Sequence, residues 1–88
     1  MTEPRYELLP AHLRAGMRRY VEQGIRPGSF LQALLEEDYP KLGAYMVNGP
    51  YTLQERDNIL TFTETLPAEA WGTPAAVEAW IESKRPRP

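Results

Sequence analysis

Four arginines fall within thirteen positions: Arg14, Arg18 and Arg19 in one segment, and Arg26 just beyond it. On a helix, Arg14 and Arg18 are four apart and therefore neighbours on one face. Arg26 opens the run Arg26-Pro27-Gly28-Ser29, a corner that leads into a helix start. Such a start offers free backbone N–H groups, the positive end of the helix dipole, a glycine that lets a ligand approach, and a hydroxyl. Arginine suits phosphate because its planar fork donates two parallel hydrogen bonds. The expectation is therefore an anion site in which Arg14, Arg18 and Arg26, with the backbone at Gly28 and Ser29, hold a phosphate-bearing ligand. Tyr20 or His12 would contact its planar part. The plainer alternatives are a capped corner without a ligand, a core position for Tyr20, and an Arg18 neutralised by Glu22 four residues on.

Other chemistry is sparse. His12 is the one histidine and there is no cysteine, which leaves no thiol nucleophile, disulfide framework or cysteine metal site. General acid–base catalysis needs a partner within hydrogen-bond reach, and the spacing around His12 nominates none. Glu36, Glu37 and Asp38 form an acidic run read here as the end of a helix, where carboxylates oppose the dipole. No enzyme, cofactor or metal site is expected. A net charge of −2 argues against a nucleic-acid polymer as partner.

The elements that must position these residues are legible from apolar spacing and punctuation. The spacing predicts helices near 10–23, 29–39, 52–65 and 73–83. In the first, Leu13, Met17, Tyr20 and Val21 make one buried face; Gly16 permits a close helix contact, and Gly24 fits a left-handed helix end. Ser29 with Gln32, and Thr52 with Glu55, read as capping boxes. Pro40 disfavours helical geometry at Tyr39 and is expected to end the second helix. The stretch 39–51 reads as a loop with at most one short helix, since Asn48-Gly49-Pro50 is a turn signal. Pro67 to Trp71 reads as a short helical turn closed by Gly72, and Thr73-Pro74 opens the last helix.

The 88 residues, 42% of them hydrophobic, suit a single all-α domain, a compact bundle of about four helices. Residues 1–8 would form an N-terminal arm and 84–88 a mobile tail. No run approaches the roughly 18 apolar residues of a membrane span, and the charged start lacks the apolar core of a signal peptide. A cytoplasmic protein is expected. A chain this short buries only about 60–65% of its unfolded surface; with Gly16 available for a partner helix, self-association is expected, most simply a dimer.

Two stretches carry a resemblance. One is Leu9-Pro10-Ala11-His12, Gly16, Tyr20-Val21 and Gly24 through Leu31; the other is Trp71-Gly72-Thr73-Pro74 with Val77 and Trp80-Ile81. Over roughly 9–38 and 70–81 the chain resembles a group of small helical proteins encoded in tailed-phage and prophage genomes, a group without an assigned function. The middle, 39–66, departs from that pattern, notably at Val47-Asn48-Gly49-Pro50-Tyr51. The resemblance implies a phage origin and a host-cytoplasmic setting, where small phage proteins act by binding and many oppose host defence. Two functions follow: sequestration of a phosphate-bearing, nucleotide-like signal, or inhibition of a host protein by docking an aromatic helix face on it.

Overall fold

In the computed structural model, which describes residues 3–85, five α-helices follow an N-terminal 3-10 turn over Tyr6–Leu8. They are α1 (Ala11–Gln23), α2 (Ser29–Leu35), α3 (Tyr39–Asn48), α4 (Leu53–Thr63) and α5 (Pro74–Ser83); a second 3-10 turn, Ala68–Ala70, precedes α5. Among the described residues there is no strand, and no helix is long and apolar enough to cross a membrane. The chain is all-helical, with one α-helix more than the spacing predicted.

The core draws on every element. Met17 and Tyr20 of α1, Leu34 and Leu35 of α2, Leu42 of α3, Ile59 and Phe62 of α4 and Val77 of α5 are all buried. Each fully buried aliphatic or aromatic side chain of this kind is worth about 1.5–3 kcal/mol relative to an exposed one. The predicted caps of α4 and α5 are present. Thr52 Oγ1 accepts from the Glu55 N–H while Glu55 Oε1 accepts from the Thr52 N–H, and Thr73 Oγ1 accepts from the Ala76 N–H. Gly24 ends α1 at φ 67°. A Cβ there would lie 2.5 Å from Cβ of Lys84, so its missing side chain also lets the C-terminal ends of α1 and α5 meet.

The segment 35–51 departs most from expectation. Pro40 does not terminate a helix; it sits in the first turn of α3, where its missing N–H has no intrahelical acceptor to lose. The break comes earlier. Glu37 adopts a left-handed φ of 54°, the Asp38 N–H donates to Ala33 O at 2.9 Å, and the Glu37 N–H to Leu34 O at 3.3 Å. This is a Schellman stop built without glycine. Asp38 then caps α3, its Oδ1 accepting from the Lys41 N–H, so one acid of the run 36–38 lies favourably at a helix start. The expected loop 39–51 is thus mostly the ten-residue α3, held by Leu42 and Met46, four apart and both buried.

Two further expectations change. Gln32 forms no capping box with Ser29: α2 is capped by Gly28 without a side-chain bond, and Gln32 Nε2 donates to Glu36 Oε2. The arm 1–8 is packed over residues 5–8, with Tyr6 buried against Phe62, ring centroids 5.8 Å apart, and the Arg5 N–H donating to Thr65 Oγ1. The expected mobile tail falls on Lys84 and Arg85, which are exposed, and on 86–88, outside the described residues.

Candidate functional site

The three arginines of the expected anion site do not converge. Arg14 Nε donates to Leu9 O at 2.8 Å and its Nη2 to Glu7 O at 3.3 Å. Arg18 lies 4.3 Å above the Tyr6 ring and pairs with Glu22 at 3.3 Å. Arg26 reaches α5, its Nη2 donating to both Glu78 carboxylate oxygens at 2.6 and 2.8 Å. Arg14 and Arg18 do share a face, but the N-terminal turn and Leu9 take Arg14's donors, while Arg18 stacks on Tyr6 of that turn and donates to Glu22 of its own helix. Tyr20 is fully buried, and its hydroxyl donates to Ala70 O at 2.6 Å. It is a core residue and cannot touch a ligand; burial pushes its phenol well above the usual range.

The structure does bring His12, Gly28 and Ser29 together. They line a shallow groove of about 370 Å³ between α1 and the first turn of α2, with Gly16, Phe30 and, instead of the expected arginines, Arg19. The Arg19 Nη2 lies 3.8 Å from where a Gly16 Cβ would stand, so the guanidinium folds back across Gly16. That position is 3.5 Å from Leu31 Cδ1, an ordinary contact, and Gly16 lines the groove. Among the described residues Arg19 has no ion pair and no carboxylate lines the groove. Gly28 has open space where a side chain would be.

A chain of aromatic rings backs this groove. The His12 and Tyr51 rings lie nearly parallel, 12° apart with centroids at 6.2 Å, and His12 Nε2 is 3.2 Å from the Tyr51 hydroxyl. Tyr51 packs on Phe30 at 5.5 Å and Phe30 on Tyr45 at 5.8 Å; the Tyr45 hydroxyl donates to Ser29 Oγ at 3.0 Å. Burial raises the Tyr51 phenol, with a smaller push from Glu55. His12 and Ser29 are thereby held by Tyr51 and Tyr45 before any ligand arrives. Sequence reasoning found His12, Gly28 and Ser29 but missed Arg19, Tyr45 and Tyr51. The two tyrosines lie in or beside the turn Asn48-Gly49-Pro50 and reach the groove from 16 and 39 residues away.

Among the described residues no three His, Cys, Asp or Glu side chains gather as a metal set would require. The chain matches no protein-family model, no curated protein and no solved structure.

Proposed function

We propose that this is a non-enzymatic binding protein that holds a small ligand bearing a phosphate or similar anionic group in the α1–α2 groove. Arg19 supplies the charge-assisted fork, His12 and Ser29 supply polar contacts, and the open backbone at Gly28 admits the ligand. One observation carries this reading. Of the arginines on and beside α1, Arg14, Arg18 and Arg26 are held by carbonyls or carboxylates, while Arg19 has no ion pair among the described residues and lines a groove without acids. With the resemblance to small phage-encoded proteins, this supports sequestration of a nucleotide-like signal in the host cytoplasm as a counter-defence role.

Calorimetry of the full chain against cyclic and linear nucleotides, including ADP-ribose, tests it. A ligand at 100 times its Kd stabilises the fold by about 2.7 kcal/mol. Arg19→Ala should cost about 1.5–3 kcal/mol of affinity, ten- to a hundredfold, and leave the Tm of the free protein unchanged. Absence of heat across the panel removes the reading.

A second reading, a docking inhibitor of a host protein, is favoured by large apolar side chains left exposed on α3 and α4: Val47 is 71% and Leu53 78% exposed, with Tyr39 beside them in rank at 61%. Such side chains mark interaction surfaces when contiguous. They would equally serve self-association, which static light scattering tests: a monomer mass at high micromolar concentration removes the dimer.

A further inference from the structure

On a different part of the surface from the Arg19 groove, α5 and the 3-10 turn before it border two adjoining hollows of about 380 and 470 Å³. Pro67 and Trp80 line both. Apolar lining predominates, with Pro4, Tyr6 and Val21 on one side and Ala79 on the other. Trp80 does not swing freely: its Nε1–H donates to Tyr20 O at 3.1 Å, which fixes the indole plane at the junction of the two hollows. The charge around this apolar strip is one-sided. Glu3 and Glu22 line the first hollow and Glu69 the second, against Lys84 alone. Glu22 is shared with Arg18, whereas Glu3 and Glu69 have no ion pair among the described residues. The indole already receives a cation, since Lys84 Nζ lies 4.6 Å from its ring centre.

We propose that this strip is a docking site for an extended, arginine- and proline-bearing segment of a partner protein. Proline-rich chain is already extended when free and loses little entropy on lying against an aromatic-lined groove. Pro67 and the fixed Trp80 provide that apolar groove. Arginine flanking the prolines meets the acidic rim at Glu3 and Glu69 and stacks on indole better than the resident lysine, because guanidinium is planar and more weakly hydrated. The charge complementarity selects this occupant over an uncharged apolar helix, which would leave the rim carboxylates desolvated and unanswered.

The test is a titration with a capped Arg-Pro-Arg-Pro peptide, a sequence the chain itself carries at 85–88, so the isotope-labelled full chain and its Arg85→Ala, Arg87→Ala variant, whose tail cannot compete, are both titrated, following the two tryptophan indole N–H signals. A saturable shift of Trp80, with Trp71 unmoved, is expected. Glu3→Lys with Glu69→Lys, both at exposed positions, should weaken it about three- to tenfold, and added salt should weaken it too. Trp80→Ala should abolish binding; because the indole also holds α1, its fold is checked by circular dichroism, and the charge-reversed variant decides if that variant unfolds. The proposal is overturned by a Trp80 signal unmoved at millimolar peptide, by equal binding of an Ala-Pro-Ala-Pro peptide, or by charge reversal without effect. Self-association that shifts Trp80 without added peptide would give the strip to a second copy and equally overturn it.

Discussion

The α1–α2 groove and the Trp80 strip differ in how the same helix is used. At the groove α1 contributes Arg19 and His12, and the lining carries one guanidinium, one imidazole and the Ser29 hydroxyl without acids. At the strip α1 contributes Val21 and Glu22, and apolar lining sits beneath an acidic rim. Between them, the arginines that looked most like a ligand site are spent on structure: Arg14 on the N-terminal turn, Arg18 on Tyr6, Arg26 on Glu78. An arginine stripe at helical spacing is thus not yet a site. What matters is whether other chain folds onto that face or a neighbour on the helix takes its donors.

The largest way to break the comparison is through the residue that stands between the two surfaces. Tyr20 donates to Ala70 O and its own carbonyl accepts from Trp80. Tyr20→Phe leaves the buried Ala70 carbonyl without its donor and should cost about 1–3 kcal/mol, read by urea denaturation. The pH dependence follows from the raised phenol. Folding holds Tyr20 protonated, so its contribution is complete below the ordinary tyrosine value of 10.0 and is lost as pH rises beyond it. The wild-type chain should therefore destabilise above pH 10, and Tyr20→Phe should flatten that alkaline limb.

Arg14→Ala sharpens the contrast with Arg19. It removes the bond to Leu9 O and should destabilise by about 1 kcal/mol, with ligand affinity unchanged, whereas Arg19→Ala should show the opposite pattern. Thermal melts and calorimetry on the two variants check this. If Arg14→Ala abolishes binding at constant Tm, the expectation from spacing is restored and the groove loses its assigned cation.

Glu37→Gly tests the stop that separates α2 from α3. A left-handed conformation costs a side-chain-bearing residue about 1–2 kcal/mol, and glycine gives back about 0.4–1 in unfolded-chain entropy. The variant should be stabilised by up to about 1 kcal/mol in denaturant titration; destabilisation would show that the Glu37 side chain contributes more than its backbone costs. The smallest effect belongs to Ser29→Ala. As Ser29 is not the cap of α2 and its Oγ only accepts from an exposed Tyr45 hydroxyl, the loss should be a few tenths of a kcal/mol, below the roughly 1 kcal/mol of a lost cap.

The sequence alone determined the helical class and the ends of three helices. Those features depend on contacts within a few residues: the Thr52–Glu55 box, Thr73 before Pro74, Gly24 in the left-handed region. It also marked His12, Gly28 and Ser29, which tertiary structure placed on one groove. Tertiary structure alone decided the rest. The stop at Glu37 is signed by no glycine, and α3 owes its stability to Leu42 and Met46 being buried by other elements. Which arginine faces outward depends on where residues 5–9 and Glu78 come to lie, separated from their partners by up to 52 positions. Tyr45 and Tyr51 reach Ser29 and His12 across 16 and 39 residues. Local spacing carries information over one or two turns of helix; the partners of a charged or aromatic side chain are set by long-range packing, which spacing does not encode.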